Sequence, residues 1–377
     1  GTISTYLVYE STPKFSLSEI IINSVVFVAV AGGLVLILKF FEKIVPYICL
    51  VAIVAILALV VVNSSNMNSI LKKSMEHVTK TENPEKILSL SKNGKNVIVF
   101  MLDRAVSGYL PFMLEEKEEL NDMYSGFTYY PNTLSFGDHT NFAAPALFGG
   151  YDYTPIAMNR RADRSLAEKH DEALLTLPVL FSDNGYKVTV CDPPYAGYSE
   201  IPDLSIYDAY EDIDAYNLKG TFISNDSVVG GVKLSTAQSK NFFAYSLMKS
   251  FPLALRNFVY LDGNYFGASS LSVNEPVFLE SYSVLTELKN MTKITDEKED
   301  SLLVMQNETP HAATFLRTPD YVPGTALETI IKIPQPTRIS EDLTMYMEES
   351  LQVQNYQVNM ASLLEIGKWL DYLKYRH

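Results

Sequence analysis

The chain has 377 residues, of which 47% are hydrophobic, and its formal net charge is −14. This acidic balance argues against nucleic acid, and against an anionic lipid surface, as a default partner. The length is sufficient for a membrane region followed by one large α/β domain. Only two cysteines are present, and Cys49 lies in an apolar segment, so Cys191 has no partner for an intradomain disulfide.

Two apolar segments near the start predict transmembrane helices. Leu17 to Leu38 contains one acid, Glu19, and Ile44 to Val62 contains no charged residue. Both segments are long enough to cross a bilayer, whereas a buried hairpin of a soluble domain rarely lacks a polar face. Lysines in the connector 39–43 favour the cytoplasm for that loop, and two lysines after the second segment oppose this orientation. We predict a multi-pass anchor in 1–63 whose partner is the lipid bilayer.

The polar segment 64–95 predicts a partly helical stalk, and 96–377 is predicted to form the main domain. Its first element is the apolar run Asn96 to Leu102, which is typical of a central parallel strand. Asp103 therefore follows the carboxyl end of a strand, where ligands bind in open α/β sheets. The carboxylate could reach a metal ion or a substrate there. An Asp after a strand is also a common turn former or helix cap.

A short apolar helix is predicted over Asn141 to Phe148, with Thr140 as its N-cap and Gly149-Gly150 after it. Thr140 could serve only as this cap. Alternatively, the amide groups and the dipole at a helix start stabilise a bound anion such as a phosphoryl group. A threonine hydroxyl becomes a nucleophile only when a metal ion or a base draws off its proton.

The stretch from about 193 to 275 is rich in Asp, Tyr, Gly and Ser with poor periodicity. It is interpreted as loops inserted over an active site.

The segment Gly126 to Thr133, followed by Thr140 and Pro145, resembles the nucleophile region of the alkaline phosphatase superfamily. Within it, the chain is most similar to membrane-anchored sulfatase-like proteins, including the phosphoethanolamine transferases and lipoteichoic acid synthases. Leu177 to Val190 resembles the helix, Gly-Tyr turn and strand that follow in such proteins, and Leu302 to His311 resembles the later strand whose following loop supplies a substrate-binding or metal-binding His. The resemblance implies an α/β fold with a mixed sheet flanked by helices and preceded by the two transmembrane helices. It also implies a catalytic domain on the extracytoplasmic side of the cell membrane.

Carried over to this sequence, the resemblance implies that Thr140 is the nucleophile and a metal ligand and that Asp103 is a metal ligand. It implies that His311 contacts the transferred group. The cofactor would be a divalent metal ion, namely Zn, Mn, Mg or Ca. The substrate would be a membrane lipid or an envelope glycan.

The sequence departs from the family in two respects. Sulfatases carry Cys or Ser in a Cys-x-Pro-x-Arg motif, whereas the nucleophile here is Thr140 and the motif at Cys191 has Tyr195 in place of Arg. The family also completes its metal site with an Asp-His-Gly, which this chain lacks. A long helix capped by Ser340-Glu341-Asp342 would precede that strand. Its apolar positions are Leu343, Met347, Leu351, Tyr356, Met360, Leu363, Leu364, Leu370 and Leu373.

These departures predict a fragment truncated before its last metal-binding strand, or else a natural pseudoenzyme. The leading functional hypothesis is a membrane-anchored, metal-dependent phosphotransferase or hydrolase that acts on phosphodiester or phospholipid head groups through Thr140. One alternative is a catalytically inactive sulfatase-like envelope protein that binds a glycan or a partner. The other is a sulfuric ester hydrolase, which the threonine disfavours.

Overall fold

The computed structural model describes residues 7, 9, 12–75, 86–223, 228–229, 232–263, 265, 274–324, 337–338, 344–345 and 350–375. The chain divides into two compact units. The first unit comprises Gly1–Glu76 and Asn225–Pro276, and the second comprises His77–Ser224 and Val277–His377.

The helices are α1 (Leu17–Phe40), α2 (Val45–Met75), α3 (Leu110–Glu116), α4 (Glu119–Met123), α5 (Thr140–Gly149), α6 (Pro155–Asn159), α7 (Leu166–Asp183), α8 (Leu234–Ser250), α9 (Leu253–Tyr260), α10 (Asn274–Met291) and α11 (Ser350–Lys374). The strands are β1 (Leu88–Ser91), β2 (Asn96–Leu102), β3 (Lys187–Cys191), β4 (Ile213–Tyr216), β5 (Val228–Val229), β6 (Val232–Lys233), β7 (Thr292–Thr295), β8 (Ser301–Asn307), β9 (Thr337–Arg338) and β10 (Thr344–Met345).

The first unit contains the two apolar helices expected from the sequence. Leu17–Phe40 and Val45–Asn66 have mean hydropathies of 2.7 and 3.1, and both are long and apolar enough to cross a membrane. A capping box starts α1, because the Ser16 hydroxyl accepts from the Glu19 amide while the Glu19 carboxylate accepts from the Ser16 amide. No side chain of α1 is buried.

Helices α8 and α9 belong to the first unit, although they lie in the stretch from about 193 to 275 that was interpreted from the sequence as loops inserted over an active site. They form a small core in which Ala244, Met248 and Val259 are buried beside Tyr260 and Tyr265. The Leu253 amide at the start of α9 donates to Oδ1 of Asn23 in α1 at 2.9 Å. The core of α8 and α9 thus forms separately from that of the sheet, which poor periodicity in the sequence obscured.

The second unit is α/β, with parallel sheets flanked by helices. Its main sheet has the strand order β2-β8-β3-β4, and every described pairing in this sheet is parallel. The sequence predicted a mixed sheet, whereas the sheet formed by these four strands is parallel. Among the described strands β2 pairs only with β8, so the run predicted to be central is an edge strand and β8 takes the interior place.

Strand β8 is buried at all its positions and contacts a helical layer on each face. Leu302 and Val304 pack with residues of α5 and α7, whereas Leu303 and Met305 pack with residues of α10 and α11. This alternation follows from the two-residue period of a strand. The parallel register, in which Leu102 pairs with Asn307, places the carboxyl ends of β2 and β8 side by side at one edge of the sheet.

Two terminal features of the main domain differ from the sequence prediction. Strand β1 lies within the predicted stalk and pairs in parallel with β7. Its residues Leu88 and Leu90 are both buried, so this part of the predicted stalk belongs to the packed domain. Helix α11 begins at Ser350, and Thr344–Met345 pairs antiparallel with Thr337–Arg338 in place of the predicted first helical turn. The predicted cap 340–342 lies outside the described residues, as do the side chains of Leu343 and Met347.

Candidate functional site

Asp103 and Thr140 meet at the carboxyl edge of the main sheet. The Asp103 amide donates to the carbonyl oxygen of Asn307 at 3.0 Å, which extends the pairing of β2 with β8 by one residue. The Thr140 hydroxyl donates to Oδ2 of Asp103 at 2.9 Å. Both side chains are half-buried. The sheet therefore fixes the carboxylate, and the carboxylate fixes the hydroxyl.

Thr140 is the first residue of α5, not its N-cap as the sequence predicted. His139 is the N-cap, with an extended backbone, and its carbonyl oxygen accepts from the amides of Phe142 and Ala143. The Thr140 hydroxyl is therefore not used in capping and points to Asp103. The free amides at the start of this 10-residue helix remain close to the hydroxyl and favour an anion.

His139 turns away from this pair. Its Nδ1 hydrogen-bonds the Asp138 carboxylate at 2.8 Å, and both side chains are exposed. This hydrogen bond from His139 holds the pKa of the Asp138 carboxyl below its ordinary value.

His311 is the third predicted site residue, and it is an exposed residue in the otherwise largely buried loop after β8. Its amide donates to the Glu308 carbonyl oxygen at 3.0 Å, and its own carbonyl oxygen accepts from Ala313 at 3.2 Å. Among the described hydrogen bonds, none joins its imidazole to Asp103 or Thr140. The structure thus brings two of the three predicted residues together and leaves His311 on a loop from the neighbouring strand.

The Asp103–Thr140 pair fits two adjacent ligand positions of a divalent cation. Oxygen ligands at 2.0–2.1 Å from an octahedral ion lie about 3.0 Å apart, and the two oxygens here are 2.9 Å apart. In the part of the chain that the structure describes, no group of three or more His, Cys, Asp or Glu side chains could hold a metal ion. The 2.9 Å separation is also that of the hydrogen bond between the two oxygens, and the pair would supply at most two of the ligands of such an ion.

A second carboxylate at the same edge was missed from the sequence. Asp192 directly follows β3, and its Oδ1 accepts from the amides of Leu218 and Lys219 at 2.7 and 3.1 Å. Burial raises the pKa of Asp192 to about 7, against the opposing effect of these two hydrogen bonds. Lys219 in turn forms an ion pair with Glu308, the residue after β8. The strand-end rule that located Asp103 also applies to Asp192.

Comparisons with protein-family models, with curated proteins and with solved structures found no match to this chain.

Proposed function

We propose that the chain is a membrane-anchored, metal-dependent phosphotransferase or hydrolase of the sulfatase-like group within the alkaline phosphatase superfamily. It acts on phosphodiester bonds of phospholipid head groups or envelope glycans through Thr140. The observation that carries the proposal is the hydrogen bond from the Thr140 hydroxyl to the Asp103 carboxylate. It brings together a hydroxyl at a helix start and a carboxylate at a strand end, the two groups to which the resemblance assigns the nucleophile and a metal ligand.

In this reaction Oγ1 of Thr140 attacks phosphorus and its proton passes to Oδ2 of Asp103. The bond from phosphorus to the leaving oxygen breaks, and that oxygen takes up a proton from water, which gives an alcohol and a phosphoryl ester on Thr140. An acceptor alcohol or water then attacks the same phosphorus and loses its proton to solvent, while the bond from phosphorus to Oγ1 breaks and Oγ1 recovers the proton from Asp103. The amides at the start of α5 stabilise the negative phosphoryl oxygens.

A divalent cation, when bound at Asp103 and Thr140, would lower the pKa of the hydroxyl and offset negative charge on the substrate. This cation would be Zn, Mn, Mg or Ca. His311 is assigned to the transferred group because its loop leaves the sheet beside Asp103. The two apolar helices would anchor the protein in the cell membrane as a multi-pass protein, with the second unit on the extracytoplasmic side.

The proposal is tested by trapping the covalent ester. The purified protein is incubated with Mn²⁺ and bis(4-nitrophenyl) phosphate, quenched in acid and digested. Mass spectrometry is expected to find a 4-nitrophenyl phosphoryl group on the peptide that contains Thr140. Turnover without any adduct on this peptide, or the same adduct in Thr140→Val, would contradict the assignment.

The second candidate is a catalytically inactive envelope binding protein with the same fold. It is favoured by the incomplete metal shell, since the described residues supply the Asp103–Thr140 pair but no cluster of three metal-binding side chains. A folded protein that binds an envelope glycan, yet shows neither adduct nor turnover with any of the four metals, would support this candidate.

A further inference from the structure

A basic cavity of about 460 Å³ lies in the first unit beside the start of α1. Its lining includes three cationic side chains, those of Lys14, Lys249 and Arg256, together with Tyr9, Thr12 and Phe15. No Asp or Glu lines the cavity among the residues that the structure describes. This local positive charge contrasts with the net charge of −14. Such a concentration of positive charge selects an anion.

Two of the cations are held in place without being neutralised. Arg256 donates through Nε to the Phe251 carbonyl oxygen and through Nη2 to the Lys249 carbonyl oxygen, both at 3.0 Å. Carbonyl oxygens fix the guanidinium but leave its charge and its remaining N–H groups available. The Lys249 ammonium lies 5.4 Å from the centre of the Tyr245 ring. Within the described part of the chain, no ion pair joins Lys14, Lys249 or Arg256 to a carboxylate.

The position of the cavity along α1 indicates where the anion comes from. Lys14 and Phe15 directly precede Ser16, the N-cap of α1. At 24 residues, α1 is about 36 Å long and exceeds the hydrocarbon core of a bilayer, about 30 Å. When α1 spans the bilayer, the cavity at its first turn lies in the head-group layer.

Exposed aromatic side chains of α8 and α9 suit the same layer. Phe242, Phe243 and Phe258 are 66%, 69% and 76% exposed, and Leu255 is 48% exposed. Aromatic side chains are enriched where a membrane protein crosses from lipid to water. The hydrogen bond from Leu253 to Asn23 holds α9 beside the first turns of α1. Phe242 precedes Lys249 by two helical turns on the same face of α8, so the helix that carries one cation of the cavity also carries an apolar surface for an acyl chain.

We propose that this cavity binds the phosphate of an anionic phospholipid head group, with the acyl chains lying along the exposed aromatic side chains of α8 and α9. Arg256 provides a planar set of N–H donors to the phosphate oxygens, and Lys14 and Lys249 provide point charges. The site is independent of the Thr140 chemistry. It makes the first unit a lipid-selective part of the molecule.

The test uses the whole protein in detergent and native mass spectrometry with added phosphatidylglycerol or phosphatidylcholine. Phosphatidylglycerol is expected to bind more tightly. Lys249→Gln and Lys14→Gln should each weaken it about five-fold, the effect of one cation near a lipid surface. Lys289→Gln is the matched control, because Lys289 also lies over a tyrosine ring, that of Tyr372 at 5.3 Å, but outside the cavity.

Inorganic phosphate distinguishes the two sources of the anion. If the lipid is the ligand, millimolar inorganic phosphate should not displace phosphatidylglycerol, because it lacks the acyl chains. Displacement by inorganic phosphate would overturn the lipid assignment and indicate a free-phosphate site. Equal binding of both lipids, or equal loss of phosphatidylglycerol in Lys289→Gln and Lys249→Gln, would overturn the proposal. Circular dichroism of each variant checks that the helices are retained.

Discussion

Thr140 and Asp103 are 37 positions apart in the chain, yet the hydroxyl of one donates to the carboxylate of the other at 2.9 Å. The two side chains come from different elements, the start of α5 and the end of β2. Asp103 is held by its amide bond to Asn307 in the neighbouring strand. The pair is therefore positioned by the pairing of β2 with β8 and by the packing of α5 on the sheet.

Thr140→Val removes the hydroxyl and keeps the shape of the side chain. We expect loss of the covalent adduct and of turnover with bis(4-nitrophenyl) phosphate, while Thr140→Ser retains both. The lost hydrogen bond should lower the free energy of unfolding by only about 1 kcal/mol, which thermal unfolding can measure. Turnover of 4-nitrophenyl sulfate in preference to the phosphodiester would favour the sulfuric ester hydrolase instead.

Asp103→Asn keeps an oxygen that can accept from Thr140 but removes the negative charge. The affinity for Mn²⁺, measured by isothermal titration calorimetry, should fall by at least about ten-fold, since changes to outer ligand partners already cost that much. Asp138→Asn is the control, because Asp138 is exposed and paired with His139. Equal Mn²⁺ affinity in Asp103→Asn and the unaltered protein would remove Asp103 from the ligand set.

Asp192 should make stability depend on pH. Burial raises the pKa of this carboxyl in the folded state from 3.8 to about 7, so folding favours the protonated form. Its contribution to stability is complete below the unfolded pKa and is lost as pH rises through the folded one. The Tm of the unaltered protein should therefore fall as pH rises from 3.8 to about 7, and Asp192→Asn should make this fall smaller. A parallel pH profile for the two proteins would show that Asp192 titrates normally.

Gly367→Ala tests the close approach of α11 to α4. A Cβ at Gly367 would lie 2.7 Å from Sδ and 3.2 Å from Cβ of Met123, and 3.3 Å from the Tyr124 ring. We expect a loss of about 1–3 kcal/mol in the free energy of unfolding from overpacking. Gly108→Ala is the control, since its Cβ would meet no atom within 4 Å. Equal denaturant midpoints for the two variants would contradict the close approach.

Sequence patterns predicted those elements whose signals are local. The apolar run Asn96–Leu102 has the bounds of β2, and the Gly185 turn with φ of +80° separates α7 from β3 as expected. The strand-end rule placed Asp103 at the correct edge of the sheet. The hydroxyl of Thr140 was then predicted to be near it, and the structure brings the two together.

What the sequence did not predict depends on contacts between distant segments. A continuous apolar run does not distinguish an edge strand from an interior one, and β8 occupies the interior place that was assigned to β2. Asp192 was passed over because Cys191 to Tyr195 was judged only as a failed sulfatase motif. The start of α5 was predicted one residue too late, because the residue that caps a helix is decided by backbone geometry.

The amide proton of Asp103 can report how rigidly the candidate nucleophile is supported. This proton is bonded to the Asn307 carbonyl oxygen, and Asn307 is itself tied to the Ser281 carbonyl oxygen and the Thr309 amide. Its exchange with deuterium requires separation of the strand ends at that point. Slow exchange would mean that the Asp103 carboxylate is preorganised before substrate arrives. A ligand bound to Thr140 and Asp103 would slow the exchange further by holding the two strand ends together.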